Sequence, residues 1–464
     1  MNLFPLLQRR AIDGLPIRIG LIGAGKFGSM FLAQARTTPG VHVMAVADLS
    51  VPQAREALRN TGWEEERISA ASFAEALTSG TTHVTEDAEA LIAADGIDVV
   101  VEATGVPPAG IRHALRRFYH GRHVIMVNVE ADALVGPLLA RRAEEAGVVY
   151  SLAYGDQPAL ICELVDWARA TGFEVVCAGK GTKYLPEYHA STPDTVWEHY
   201  GLTEEQIESG QFNARMFNSF LDGTKSAIEM AAVANATGLI PAPEGLGFPP
   251  AGEEALPMIC RPRQDGGCLH HSGTVEVVSS LERNRHPVDR DLRWGVFVTF
   301  KAATDYVASC FSEYGLITDE SGVYAAQFRP FHLIGLELGI SVAAVALRGH
   351  ATGAPTEFRG DVVAVAKRDL ATGERLDGEG GYTVYGRLMP AGDALALSAL
   401  PIGLAHGVKL RRAIAIGEIV RWSDVTIDES QEPMRLRRQM EYWLQHGGDE
   451  SSGSARTSGY PNTR

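Results

Sequence analysis

Residues 17–28 read Ile-Arg-Ile-Gly-Leu-Ile-Gly-Ala-Gly-Lys-Phe-Gly. The alternation of Ile17, Ile19, Leu21 and Ile22 with little polar relief predicts a buried parallel strand. Gly23, Gly25 and Gly28 follow in Gly-x-Gly-x-x-Gly spacing, and a helix is expected to open behind them. Each glycine then has its own task. Gly23 makes the tight turn, Gly25 lets backbone approach a pyrophosphate, and Gly28 lets the helix pack on the strand. Ala24, Lys26 and Phe27 complete the loop. Such a match alone is weak, and context has to carry it. A second strand, Val41 to Ala47, ends at Asp48, at about the ~20-residue distance expected for a ribose-binding acid. The turn after it, Leu49, Ser50, Val51, Pro52 and Gln53, holds no arginine for a 2′-phosphate. The expected cofactor is therefore NAD, with NADP as the alternative.

Working outward, strands and helices alternate to about Tyr150, as in a doubly wound sheet. The strands Ile97 to Glu102 and His123 to Asn128 end in turns that bring Thr104, Gly105, Asn128 and Glu130 to the cofactor mouth. For Asn128 a plain turn role stands beside that reading. The expected fold class is α/β: a dinucleotide-binding domain over 1–150, an α+β middle domain over 151–359, and a small β-rich domain over 360–427. A C-terminal helix and a polar tail fill 428–464. Within the middle domain, Met216 to Gly238 reads as one long helix, Lys180 and Lys183 as flanking a glycine turn, and Arg329 to Leu333 as the entry to a helix.

The 464 residues allow several domains, and 45% hydrophobic with 21% charged residues is ordinary for a globular protein. A net charge of −15 argues against a nucleic-acid or anionic-membrane partner. No apolar run reaches the ~20 residues of a membrane span, and Met1 to Gly14 lacks the apolar core of a secretory signal. Five cysteines make no Cys-x-x-Cys pair, which points to a reducing, cytoplasmic setting. His270 and His271 lie next to Cys268 without a carboxylate at ligand spacing, so no metal site is expected.

Seven motifs carry a resemblance: Gly-Ala-Gly-Lys-Phe-Gly (23–28), Glu-Ala-Thr-Gly (102–105), Asn-Val-Glu-Ala-Asp (128–132), Ala-Gly-Lys-Gly (178–181), Asp-Gly-Thr-Lys (222–225), Glu-Met-Ala-Ala-Val-Ala-Asn-Ala-Thr-Gly-Leu (229–239) and Arg-Pro-Phe-His-Leu (329–333). From about Leu15 to Val425 the chain resembles homoserine-dehydrogenase-type oxidoreductases with a C-terminal SAF domain. Within them it is similar to the branch holding the deoxyxylulose-phosphate reductoisomerase-like enzymes. The resemblance implies catalytic roles at Asp222 and Lys225, with Glu229 and Asn235 on the substrate side of the same helix. It also implies a homodimer. Two departures stand out. Val129 follows Asn128 where homoserine dehydrogenases usually carry lysine, which argues against homoserine. Asp48 without arginines departs from the NADPH-using reductoisomerase-like enzymes.

The chemistry expected is hydride transfer to or from a small polyhydroxylated or phosphorylated carbonyl compound. An alkoxide so formed needs a proton and an electrostatic partner. Lys225 is read as acid/base, its pKa lowered by burial, with Asp222 orienting it three positions earlier. Lys180 is read as a third catalytic residue, Lys183 presents a second cation to the substrate, Arg329 can clamp an anion, and Asp156 and His332 are further substrate-side candidates. Asp156 also fits an N-cap, and His332 a packed histidine. The competing reading is a non-catalytic dinucleotide sensor or scaffold whose SAF domain binds a partner.

Overall fold

The computed structural model describes residues 2–210 and 212–446. The tail expected from Gly447 onward lies outside them. β1 (Ile17–Ile22), β2 (Val41–Ala47), β3 (His83–Thr85), β4 (Val99–Glu102), β5 (His123–Met126) and β6 (Tyr150–Leu152) form one parallel sheet in the order β3-β2-β1-β4-β5-β6. β1 and β2 are buried nearly throughout, because helices cover both faces of a parallel sheet and leave no wet side. The strand order reverses between β1 and β4, where Ile19 pairs with Val99. Ligands of open α/β sheets bind outside the strands' carboxyl ends at such a reversal. Leu3 and Leu7, from the Phe4–Ile12 helix and the residue before it, close one side of this core. So do Val342, Ala343 and Val345 of the later Gly339–Arg348 helix, which returns from the middle of the chain to pack behind β1.

β7 (Glu174–Thr182), β8 (Thr274–Ser279), β9 (Val296–Lys301) and β10 (Tyr324–Arg329) make a second, mixed sheet in the order β10-β9-β7-β8. The helices Gln157–Ala170 and Thr224–Thr237 pack against it. Small side chains on the second helix, Ala227, Ala231, Ala232 and Ala234, let it sit at the centre of the largest apolar core.

β11 (Gly360–Ala366) pairs antiparallel with β13 (Val384–Pro390), while β12 (Arg375–Asp377), β14 (His406–Leu410) and β15 (Val425–Thr426) form a three-stranded antiparallel sheet. The Glu432–His446 helix then runs back onto the Val129–Glu145 helix of the first domain. Its buried Arg437 donates to the Leu134 carbonyl at 3.1 Å, to Asp361 of β11 at 3.1 Å and to Glu441 at 2.8 Å. One guanidinium thus ties the first domain to the third. Among the described residues no helix is long and apolar enough to cross a membrane.

Three local expectations are corrected. The stretch Met216–Gly238 is two helices, Ala214–Leu221 and Thr224–Thr237. Between them Gly223 takes φ +87°, and the Asp222 carboxylate accepts the Thr224 N–H at 2.9 Å, so an Asp-Gly turn outweighs helical propensity. Gly179 and Gly181 belong to no turn but lie inside β7. A Cβ on Gly179 would stand 1.7 Å from the Glu276 carbonyl oxygen, and one on Gly181 would stand 1.9 Å from that of Leu292. These glycines admit neighbouring backbone. Arg329 ends β10, and the next helix starts only at Gly339.

Candidate active site

The glycine loop after β1 has the geometry its spacing predicts. Gly23 has φ +97°, and a Cβ there would meet the Ala103 carbonyl oxygen at 2.5 Å. A Cβ on Gly28 would meet the Gly23 oxygen at 2.3 Å. Gly25 faces open space and caps the Lys26–Ala35 helix. That leaves the helix N-terminus and its unpaired N–H groups free for a pyrophosphate. Lys26 is exposed in the first helical turn, and Phe27 is half-buried against the core. Asp48 accepts the Ala24 N–H at 2.8 Å and the Ser50 N–H at 2.9 Å. Its carboxylate therefore shapes the loop as well as standing at the end of β2.

On the other side of the reversal, Thr104 donates to Glu102 at 2.6 Å and Gly105 has φ +65°. His113 lies 3.2 Å from the same Glu102 oxygen. Asn128 is buried and caps the Val129–Glu145 helix, accepting the Ala131 N–H at 3.1 Å. Its amide nitrogen and the second Glu102 oxygen have no partner, and both line the space above Gly110.

Two positions beyond Asn128, Glu130 forms an ion pair with Lys225 of the Thr224–Thr237 helix. This contact joins the cofactor mouth to the middle domain. Burial works against the Lys225 charge, but Glu130, Glu229, Asp156 and Glu379 outweigh it and hold the ammonium above its ordinary pKa. The expected lowering does not occur, because burial here comes with four carboxylates. Glu229, one turn along the helix, pairs with the buried Lys180 of β7. Asp156 caps the Gln157–Ala170 helix through the Gln157 N–H at 3.0 Å. Burial, and then Glu229, push its carboxyl up to about 6, against Lys225 and His332. Glu379, half-buried and bonded by Ser219 at 2.5 Å, is pushed up to about 7 by burial and by Glu130. The loop before β13, from the third domain, thus contributes to the same cluster.

Other predicted residues sit elsewhere. Asp222 does not orient Lys225. It binds Lys367 at 2.7 Å, and that ammonium also donates to the Ser191 and Gly381 carbonyls at 2.8 Å each. The Asp-Gly turn rotates Asp222 away from the helix face that carries Lys225. Asn235 lies at the far end of that helix, ten residues and about 15 Å from Lys225. Its side chain accepts the Arg359 N–H at 2.7 Å and the Gly360 N–H at 2.9 Å, and donates to the Gly360 carbonyl at 3.2 Å. It staples the helix to β11 and is spent on backbone, which corrects its substrate-side reading. Arg329 pairs with Glu337 at 2.5 Å, so it is no free clamp. Lys183 donates to the His199 carbonyl and does not share a turn with Lys180. The His332 Nδ1 lies 2.7 Å from the Trp294 carbonyl. A carbonyl only accepts, so Nδ1 carries the proton and Nε2 holds the lone pair of the neutral ring.

Sequence reasoning missed Glu379, Glu337 and Lys367. Glu379 stands among glycines at Asp377-Gly-Glu-Gly-Gly, a run that reads as a solvated turn. Lys367 follows the apolar run of β11, where a charged residue reads as the start of a polar turn, yet its side chain is 2% exposed. Among the described residues no group of three or more His, Cys, Asp or Glu side chains is set to hold a metal ion.

Comparison with known proteins bears on two of the three domains. Residues 155–338 match the family model described as oxidoreductase DRL, catalytic domain, and residues 361–426 match the SAF domain. No curated protein sequence matches the chain. Among solved structures, myo-inositol dehydrogenase from Lactobacillus casei, in complex with NAD(H) and myo-inositol, is 16% identical over 39% of this chain and 50% of its own, with a TM-score of 0.28. Biliverdin reductase from Synechocystis sp. PCC 6803 is 16% identical over 37% and 48%, with a TM-score of 0.26. The WlbA dehydrogenase from Bordetella pertussis is 21% identical over 38% and 50%, with a TM-score of 0.25. The chain spans about half the length of each, and nothing further rests on these likenesses. Residues 155–338 thus match an oxidoreductase catalytic domain, and they follow a doubly wound sheet with an open glycine loop.

Proposed function

We propose that the protein transfers hydride between a nicotinamide dinucleotide and a small polyhydroxylated or phosphorylated carbonyl or alcohol, with Lys225 at the reacting oxygen. The observation that carries this reading is the Glu130–Lys225 ion pair, which brings a cation of the middle domain to the mouth of the glycine-loop domain. Gly23, Gly25, Gly28 and the Lys26–Ala35 helix N-terminus would hold the pyrophosphate, and Asp48 the ribose. When bound, the nicotinamide supplies or accepts the hydride.

Lys225, kept protonated by four carboxylates, stabilises the oxygen that gains negative charge and donates to it. Asp156, with a carboxyl near 6, is a group in the field of Lys225 that exchanges a proton near neutral pH. Lys180, fixed by Glu229, places a second cation along β7. A reductoisomerase would add a carbon-skeleton rearrangement before reduction, and the same cation would polarise the oxygens in both steps. The titratable groups cluster, as catalysis requires and a dinucleotide-sensing scaffold does not. The test is a stopped assay of NADH oxidation against a panel of sugar phosphates and polyhydroxylated ketones. Turnover with one class that vanishes in Lys225→Met supports the reading. Equal turnover in the variant refutes the role of Lys225.

A further inference from the structure

The loop between β12 and β13 belongs to the third domain, yet it is laid across the Ala214–Leu221 helix of the middle one. Arg215 donates to the Asp377 carbonyl, and Asn218 to the Gly380 carbonyl at 3.1 Å. Gly380 has φ +64°, and a Cβ there would stand 2.0 Å from the Arg215 carbonyl oxygen. Only a glycine lets the two backbones meet at that point. Lys367 ties the loop down from its other side, donating to the Gly381 carbonyl at 2.8 Å while it holds Asp222. The side chain that this crossing delivers to the active site is Glu379. Ser219, buried on the helix beneath, donates to its carboxylate at 2.5 Å.

Charged groups from three further elements act on Glu379: Glu130 of the Val129–Glu145 helix, Lys225 of the Thr224–Thr237 helix, and Asp222 of the turn before it. Asp222 is already neutralised by Lys367. Glu229 and Asp156 act on Lys225 in turn, and Glu229 is paired with Lys180. Arg215 is spent on loop carbonyls, and Asp377 on the N–H groups of Tyr382 and Thr383. Among the described residues Glu379 makes no ion pair, and its one side-chain bond is from Ser219. Burial, and then Glu130, push its carboxyl up to about 7, against Lys225 and Ser219. The coupling is mutual, because Glu379 is one of the four carboxylates that, against burial, hold the Lys225 ammonium above its ordinary value.

We infer that Glu379, carried into the active site by the third domain, is a positioning residue for Lys225, and that its ionisation slows the proton transfer Lys225 makes to the reacting oxygen. This rests on the hydride-transfer reading above and adds a regulating group to it. With Glu379 neutral, less negative charge surrounds the ammonium. The Nζ–H bond then breaks more readily, its electron pair stays on Nζ, and the proton joins the oxygen that holds the former carbonyl π pair. As Glu379 ionises, the added charge stabilises the ammonium and the same step slows. The third domain thus sets an alkaline limit on chemistry housed in the other two.

The full chain is titrated with and without saturating NADH while infrared spectra follow the C=O band of protonated carboxyl groups. Asp132, Asp156 and Glu276 also titrate in this range, so the difference between the wild type and Glu379→Gln isolates Glu379. A single carboxyl with its midpoint near 7 is expected in that difference. Lys225→Met should raise this midpoint and Glu130→Gln should lower it, each by about one pH unit. Tyr382→Phe, which loses only the bond to Asp194 from the same loop, should leave it unchanged. Should Glu379→Gln fail to fold, Ser219→Ala keeps the carboxyl, removes its one bond, and should raise the midpoint. In kinetics with the sugar phosphate or ketone of highest turnover in the panel, wild-type kcat should fall up to about tenfold through pH 7. Glu379→Gln should lose that limb while keeping the NADH dissociation constant and the melting temperature. No such carboxyl, a midpoint unmoved by Lys225→Met, or a kcat limb unchanged in Glu379→Gln overturns the inference. A panel with no turnover refutes the hydride-transfer reading instead, and the infrared coupling then decides the link between Glu379 and Lys225 by itself.

Discussion

Asp132→Asn should reverse its effect on stability between acid and alkaline pH. Asp132 is fully buried in the Val129–Glu145 helix, accepts Tyr150 Oη at 2.8 Å with one oxygen, and has no partner for the other. No cation neutralises it, so burial pushes its carboxyl from the ordinary 3.8 up to about 7. The folded state therefore holds a proton that the unfolded chain releases. The sign follows: stability is greatest below 3.8 and is lost as pH rises towards 7. At about 1.4 kcal/mol per pH unit, the loss over that window is on the order of 4 kcal/mol. Asparagine keeps the bond from Tyr150 and never ionises, but it leaves a buried N–H₂ unpaired at a cost of about 1–3 kcal/mol. The variant should be less stable than the wild type at pH 4.5 and more stable at pH 8.5. The assay is urea denaturation followed by tryptophan fluorescence at both values, comparing midpoints at equal slope. A difference between the proteins that stays constant across the two pH values would refute the reasoning, since only the titrating carboxyl can make it vary.

Lys225→Met should lower kcat by roughly 10²–10⁴-fold while leaving the NADH dissociation constant nearly unchanged, measured by steady-state kinetics beside a fluorescence titration. Asp222→Asn breaks the buried bond to Lys367 and should cost about 3–5 kcal/mol of stability, read as a drop in melting temperature, with kcat of the folded fraction falling far less than in Lys225→Met. NAD(H) should bind more tightly than NADP(H), because Asp48 stands where a 2′-phosphate would enter and no arginine follows it; paired dissociation constants decide this, and a preference for NADPH sinks it. The chain should be a homodimer by light scattering at working concentration, a monomer there refuting the expectation.

The first domain was legible because its signals are local. Ile17 to Ile22 declares a strand by burial periodicity, and the three glycines that follow declare a turn by spacing. Both statements fit within a dozen residues. The third domain was legible for the same reason, through short apolar runs between polar turns. The middle domain misled where one pattern serves two structures. Gly179-Lys180-Gly181 looks like a turn, but the glycines answer to the Glu276 and Leu292 carbonyls, 97 and 111 residues away. Nothing near Lys180 announces those neighbours. Asp222-Gly223, by contrast, was readable as a break. The helical run on either side hid it, although a glycine after aspartate is a common turn.

The harder question is which of three buried lysines carries chemistry, and sequence offers no way to rank them. Lys180, Lys225 and Lys367 each meet a carboxylate from a distant segment: Glu229, Glu130 and Asp222. Their side chains differ in what is left over. Lys367 is 2% exposed and donates three hydrogen bonds, the full capacity of an ammonium. It can give nothing to a substrate, so its role is to join β11 to the Asp222 turn. Lys180 is 7% exposed and held by Glu229. Lys225 is 18% exposed, and among the described residues Glu130 is the one acceptor bonded to its ammonium. Donors therefore remain for an incoming oxygen, as the role proposed for Lys225 requires. Burial alone would have marked Lys367 as the functional lysine. The count of hydrogen bonds already made reverses that order, and it depends on partners 95 and 145 residues from the lysines concerned.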